Sequence, residues 1–162
     1  MIDPNNVDYH EIARRGDTEV MEAFLTAGLD PNLSNERGHS LLMIAVYNDQ
    51  AEMAELLIAS GADVELPDAS GNSPLMGLIF KGNAPLAETL LKAGADPNAR
   101  NGAGATALMM AATFRQPELA RLLLTHGADP LAADSRGLTA LDVARMHGAT
   151  EVVAVIEGAA AT

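Results

Sequence analysis

The chain has 162 residues, a formal net charge of −12, no cysteine and only two tyrosines and three phenylalanines as aromatic residues. The absence of cysteine excludes disulfides and a thiol nucleophile, and the acidic charge disfavours nucleic acid and anionic membrane surfaces as partners. No apolar run of about 18 residues is present, so the sequence predicts no membrane span. The N-terminal residues lack the basic and apolar regions of a secretory signal, and we therefore expect a cytoplasmic location by default.

Two sets of glycines recur along the chain at a fixed interval of 33 residues. The first set is Gly28, Gly61, Gly94 and Gly127, and the second set is Gly38, Gly71, Gly104 and Gly137. A period that is kept without insertions indicates one small structural unit repeated in register. Such units cannot bury their apolar faces alone, and they therefore stack on one another.

The segment from Asn101 to Ala133 shows the predicted elements of one unit. Small residues after Asn101 predict a turn, and Thr106 follows as the N-cap of a short, alanine-rich helix. Pro117 opens a second helix, whose leucines recur at helical spacing, and Gly127 ends it. Each unit is therefore predicted to contain a turn, a short helix, a tight loop and a longer helix.

The period predicts one repeat domain over residues 1–162. In chain order, its parts are an N-capping unit (1–34), three further units (35–67, 68–100 and 101–133), a C-capping unit (134–158) and a frayed tail (159–162). The first unit lacks a clear copy of the turn motif, and the last one stops without the usual helix exit, as is typical of capping units. We therefore expect a complete, monomeric protein.

The repeated motifs resemble those of the ankyrin-repeat family over essentially the whole chain. The turn motif is matched by Gly71-Asn72-Ser73-Pro74-Leu75, Gly104-Ala105-Thr106-Ala107-Leu108 and Gly137-Leu138-Thr139-Ala140-Leu141, and the helix exit by Gly61-Ala62-Asp63, Gly94-Ala95-Asp96 and Gly127-Ala128-Asp129. The chain departs from the family where Met43, Met76, Met109 and Asp142 replace a histidine. The resemblance implies an all-α ankyrin-repeat solenoid of about five helix-turn-helix repeats with short β-turn or hairpin connections. It also implies a small, stand-alone protein of bacterial type that serves as a non-catalytic protein–protein interaction module.

No constellation of residues in the sequence supports catalysis, a metal site or a cofactor site. The four histidines (His10, His39, His126 and His147) show no helical pair spacing, and no nucleophile motif is present. We therefore expect no enzyme activity, no bound metal ion and no cofactor. The methionines at positions 43, 76 and 109 either fill the core or form a soft strip that contacts a partner, a haem or a copper ion, and we favour core filling.

The residues that end the first helix of each unit predict a partner-binding surface. Tyr47 and Phe80 are 33 residues apart at this phase, and Phe114 lies one position beyond the next copy. The resemblance to ankyrin repeats implies that this phase faces the concave side of the solenoid. Exposed aromatic rings are common anchors of interfaces, although the same rings could instead complete the core.

Basic residues gather at the same helix ends and at the turn tips, whereas the second helices carry glutamates. The candidate partner-binding cations are Arg14, Arg37, Lys81, Arg115 and Arg136. We expect the chain to bind another protein through the concave groove and the turn tips. The three aromatic residues would supply apolar anchors, and the cations would orient an acidic segment of the partner.

Two other functions also fit the sequence. The chain resembles small stand-alone ankyrin proteins that are known in bacteria beside oxidoreductases, which implies an accessory protein that handles a cofactor such as haem. His39, Tyr47 and the methionines would then be contacts. The second alternative is an inhibitor or immunity partner of a toxic enzyme, which the sequence does not separate from a general adaptor.

Overall fold

The computed structural model describes residues 6–161, which form ten α-helices in five consecutive pairs. The helices are α1 (Tyr9–Arg15), α2 (Thr18–Thr26), α3 (Leu41–Tyr47), α4 (Ala51–Ala59), α5 (Pro74–Lys81), α6 (Ala84–Lys92), α7 (Ala107–Thr113), α8 (Pro117–Thr125), α9 (Ala140–Met146) and α10 (Thr150–Ala160). Residues 1–5 of the predicted N-capping unit and Thr162 of the predicted tail lie outside the described residues. The repeated helix pairs confirm the predicted all-α repeat solenoid.

Each first helix from the second pair onward begins at a hydroxyl side chain. Ser40, Ser73, Thr106 and Thr139 accept a hydrogen bond from the backbone N–H three residues later, at 3.1–3.4 Å. This N–H has no acceptor within the helix itself, so the cap fixes where the helix starts. The N-cap predicted at Thr106 is confirmed.

Four side chains at one phase of the repeat organise the turn tips, namely Asn35, Asp68, Asn101 and Asp134. In each, one side-chain oxygen accepts the backbone N–H groups two and four residues later, at 2.8–3.0 Å. Asparagine and aspartate favour turns because their side chains can make these local bonds. Within residues 6–161 the only β-structure consists of two isolated bridges, Ser34 with Ser40 and Ala133 with Thr139.

The first helices form the centre of the stack, because each one packs against the first helix of the next pair. Leu42, Leu75 and Leu108 recur at one phase of these helices and are buried. Met43, Met76 and Met109 follow them directly and are buried as well. The interpretation of the methionines as core fillers is therefore confirmed.

Hydrogen bonds at the helix exits also join successive units. The backbone N–H groups of Asp63, Asp96 and Asp129 donate to side-chain oxygens of Asn32, Glu65 and Asn98, respectively, each at 2.7 Å. Because all three bonds span 31 residues, they hold neighbouring units in the same register.

The last helix pair carries charged side chains where the inner pairs carry apolar ones. Arg145 stands at the repeat position of Val46, Ile79 and Ala112, all of which are fully buried. The Arg145 guanidinium pairs instead with the Glu157 carboxylate at 2.8 Å, and both side chains are more than half exposed. A solenoid needs a polar face where its stack meets water, and the capping role of the last unit stays a prediction.

Candidate partner-binding groove

A cavity of about 320 Å³ opens between the second, third and fourth helix pairs. We call it the central groove. It is lined by Tyr47 from α3, Asn72 from a turn tip, Met76, Gly77, Phe80 and Lys81 from α5, and Met110 and Phe114 from α7 and its C-cap. Four of the eight predicted site residues (Tyr47, Phe80, Lys81 and Phe114) therefore meet in one place.

The rings of Phe80 and Phe114 form a pair at the mouth of the central groove. Their centroids are 5.2 Å apart and their planes meet at 82°, which is the edge-to-face arrangement that aromatic pairs favour. Phe80 is 66% exposed and Phe114 is 38% exposed. Much of this apolar surface is thus open to solvent, and the Phe80 ring does not complete the core.

Tyr47 forms a fixed wall of the same groove. Its ring lies directly on the backbone of Gly77, where an added Cβ atom would come within 2.1 Å of the Tyr47 Cε1 atom. The phenol donates a hydrogen bond to Asp68 Oδ2 at 3.1 Å, and the ring also meets the His39 ring edge-to-face at 5.7 Å. These contacts place Tyr47 half-buried in the wall of the groove.

Asp68 links the turn tip to this wall and remains a charged acceptor. Burial alone would raise the pKa of the Asp68 carboxyl, but hydrogen bonds from the N–H groups of Asn72 and Ser70 and from the Tyr47 phenol lower it below its usual range. The same contact acts in the opposite direction on the tyrosine. Burial, together with the nearby Asp68 charge, raises the pKa of Tyr47 to about 12.

Titration of Tyr47 provides a direct check of this geometry. The folded chain is expected to keep the phenol proton up to about pH 12, whereas an unfolded chain loses it near 10, so the stability contributed by this proton is complete below pH 10 and falls as the pH rises through 12. Because the chain has two tyrosines, the tyrosinate absorbance of the wild type minus that of Tyr47→Phe isolates this group. A difference curve with the ordinary tyrosine midpoint would contradict the contact with Asp68.

The structure gives the five predicted cations different surroundings. Arg14 pairs with Glu11, Arg136 with Asp134 at 2.8 Å, and Lys81 with Asp49 at the longer distance of 3.8 Å. The Arg115 guanidinium donates to the backbone oxygen of His147 at 2.8 Å, and Arg37 on its turn tip has no carboxylate partner in the described part of the chain. Of the five, only Lys81 lines the central groove.

Two residues in the tight loops between paired helices have strained backbones. Asp49 and Arg115 adopt positive φ angles of 56° and 54°, at the repeat position that Gly16, Gly82 and Gly148 occupy elsewhere. A left-handed conformation costs a residue other than glycine about 1–2 kcal/mol. Side-chain bonds to the neighbouring unit offset this cost, since Asp49 accepts from the Asn83 amide at 3.1 Å and Arg115 donates to the next loop.

Sequence reasoning missed Gly77, Asn72 and Met110 as parts of the groove and treated Met76 only as a member of a methionine strip. A signal for Gly77 was present, because the same repeat position holds Ile44, Met110 and Val143. A glycine inside a helix often marks a place where another group approaches the backbone closely. The sequence could not predict that the Tyr47 ring is the group that approaches Gly77, because Tyr47 belongs to the preceding unit.

The described residues give little support to the cofactor alternative. The side chains of Met43, Met76 and Met109 are almost fully buried, which leaves little of their surface open to a bound group. Within residues 6–161, no three histidine or carboxylate side chains converge as metal ligands. His39 and Tyr47 do contact each other, but the Tyr47 phenol is already bonded to Asp68.

No helix among residues 6–161 is long and apolar enough to cross a bilayer.

Comparison with known proteins gives a consistent result. The family model described as ankyrin repeats (3 copies) matches residues 9–101, and the model described as ankyrin repeats (many copies) matches residues 81–144. A Pseudomonas aeruginosa protein that is named as an ankyrin repeat protein is 46% identical over 42 residues. This segment is 26% of the present chain and 25% of the relative, so the similarity spans only about a quarter of the relative's length.

Proposed function

Because the chain belongs to the ankyrin-repeat family, we propose that it is a non-catalytic module that binds another protein through the central groove and the adjoining turn tips. Ankyrin repeats are generally protein–protein interaction modules, which supports this class of function. The observation that carries the proposal is the exposed Phe80–Phe114 pair at the mouth of the groove. Large apolar rings that fill no space in the core are typical anchors of interfaces, since covering them removes much apolar area from water.

The choice of variants follows from the burial of the three aromatic residues. Phe80 and Phe114 are 66% and 38% exposed and neither belongs to the hydrophobic core, so truncating them should leave the packed interior intact. Tyr47 lies against Gly77 and bonds to Asp68, so its truncation would disturb the fold together with the surface. The clean test is therefore the double variant Phe80→Ala/Phe114→Ala.

We expect this double variant to lose the partner that the wild-type chain retains in affinity capture from a lysate of the native host. With the captured protein purified, calorimetry should show a loss of about 2 kcal/mol or more, which is about 30-fold in Kd, because central aromatic anchors carry most of the binding energy. The identity of the captured protein also separates a general adaptor from an inhibitor of a toxic enzyme.

The matched control is Leu131→Ala/Met146→Ala. These side chains are 80% and 64% exposed, and Met146 stands at the repeat position of Phe80. The control removes a similar exposed apolar area outside the central groove and should leave the affinity unchanged. Equal binding by the groove variant, the control and the wild type, with all three folded by circular dichroism, would refute the proposed site.

A further inference from the structure

Gly77 carries no side chain at a repeat position where the neighbouring first helices carry apolar ones. The corresponding residues of the neighbouring units are Ile44, Met110 and Val143, each with an apolar side chain. The Tyr47 ring takes up the space directly over Gly77, and we call the open part of the central groove beside this ring the notch. The Tyr47 ring lies against the Gly77 backbone from one side, but a cavity of about 320 Å³ stays open beside it, towards Phe80 and Phe114. This volume lies at the lower end of the range of ligand pockets, and it suits one large apolar side chain rather than a folded element.

Lys81 places a positive charge at the rim of this notch. It directly follows Phe80 in the chain and is the one charged residue among the described residues that line the central groove. Its ammonium nitrogen lies 3.8 Å from Asp49 Oδ2, which is longer than a direct hydrogen bond, and both side chains are partly exposed. Exposed ion pairs of this kind contribute little stability, so the ammonium group can exchange Asp49 for a carboxylate of a bound chain.

The two carboxylates near the notch, Asp68 and Asp49, already accept hydrogen bonds from other groups of the chain. Asp68 already accepts the N–H groups of Ser70 and Asn72 and the phenol of Tyr47. Asp49 is also held by the side-chain amide of Asn83 at 3.1 Å. Asp49 and Asp68 keep their negative charges, but neither lines the central groove, and the charged group that a ligand meets in the lining itself is the Lys81 ammonium.

We propose that the notch at Gly77 takes one apolar side chain of a protein partner and that Lys81 binds a carboxylate adjacent to that side chain. This proposal rests on the proposed function and names the chemistry of the segment that enters the central groove. The recognised segment thus carries leucine, methionine or phenylalanine beside aspartate, glutamate or a chain-terminal carboxylate. The net negative charge of the chain repels acidic segments, so binding of such a segment would require the local contact between its carboxylate and Lys81.

The test uses a display library of short random peptides, selected on the folded wild-type chain. We expect enriched peptides to pair a large apolar residue with an adjacent carboxylate. Synthetic copies should bind Lys81→Glu and Phe80→Ala about tenfold more weakly than the wild type, and added salt should weaken their binding to the wild type. Arg15→Glu is the matched control, because Arg15 stands at the repeat position of Lys81 and undergoes the same change of charge.

A second readout locates the peptide on the folded protein. In spectra of methyl-labelled methionine, the Met110 signal should shift on addition of an enriched peptide, whereas the signal of Met21, which is fully buried in α2, should not. Enriched peptides without a carboxylate, equal affinity of Lys81→Glu and Arg15→Glu, or no enrichment over selection on Phe80→Ala would each overturn the inference.

The two proposals fail in different ways. If the captured partner depends on Phe80 and Phe114 but the peptides show no dependence on Lys81, only the notch chemistry is wrong. If the captured partner binds equally well without the two phenylalanines, the central groove is not the binding surface, and both proposals fall.

Discussion

Leu108→Ala is expected to lower the free energy of unfolding by about 2–5 kcal/mol, because deletion of a buried leucine leaves a cavity that its neighbours fill only in part. Leu108 is 0% exposed in α7, which packs against α5, α8 and α9. The cavity would therefore open where three units meet and weaken the stack on both sides. Urea unfolding followed by circular dichroism measures this loss.

Leu131→Ala is the matched control for this prediction, since it makes the same chemical change at a side chain that is 80% exposed. Its effect should remain within about 0.5 kcal/mol, as is usual for surface substitutions. Similar losses in the two variants would show that Leu108 is not part of a tightly packed core.

Gly77→Ala is expected to destabilise the chain by about 1–3 kcal/mol, although alanine is the better helix former by about 1 kcal/mol. The new methyl carbon would lie 2.1 Å from Tyr47 Cε1, so the ring must move. A displaced ring also loses its hydrogen bond to Asp68. Chemical denaturation measures the loss of stability, and the tyrosinate absorbance should report a Tyr47 that titrates at lower pH than in the wild type.

Gly158→Ala tests the same substitution without the obstruction. Gly158 lies in α10, and an added Cβ atom there would meet no atom within 4 Å. This variant should be more stable than the wild type by up to about 1 kcal/mol. Opposite signs at the two glycines would separate the contact with Tyr47 from helix propensity.

A double-mutant cycle with Tyr47→Ala completes the test. In the Tyr47→Ala background, Gly77→Ala no longer meets a ring, and its cost should largely disappear. A full cost in that background would show that something other than the Tyr47 ring makes position 77 intolerant of a side chain. Gly77→Ala should also weaken peptide binding, because the displaced Tyr47 ring no longer forms the same wall of the central groove.

Much of the fold could be predicted from the sequence because the repeat imposes it locally. The turn residues Asn101 and Asp134, the Thr106 cap and Gly127 act within a few residues of their own position. The phase of Leu108 and Met109 within the period likewise places them in the buried centre of a stack. These features depend on local bonds and on a periodicity that is visible in one dimension.

The groove was predictable only in part, because its members come from different units. Phe80 and Phe114 were recognised as candidate anchors, and the structure shows that both are exposed. The sequence, in contrast, offered no reason to distinguish the candidate cations from one another, because the partners of Lys81 and Arg115 are residues of neighbouring units. Lys81 faces Asp49 of the preceding unit, whereas Arg115 reaches the loop of the following one.

The sequence by itself determined the solenoid and its helix pairs, since both follow from a strict period and from local capping, and it favoured core positions for Met43, Met76 and Met109. Only the tertiary structure decided that Tyr47 is packed against its neighbours whereas Phe80, at the same repeat position, is exposed. Gly77 lies thirty residues beyond Tyr47, and the Tyr47 ring packs directly against its backbone because glycine has no side chain. Thirty residues beyond Phe80 stands Met110, which carries a side chain where Gly77 has none, and Phe80 is 66% exposed at the groove.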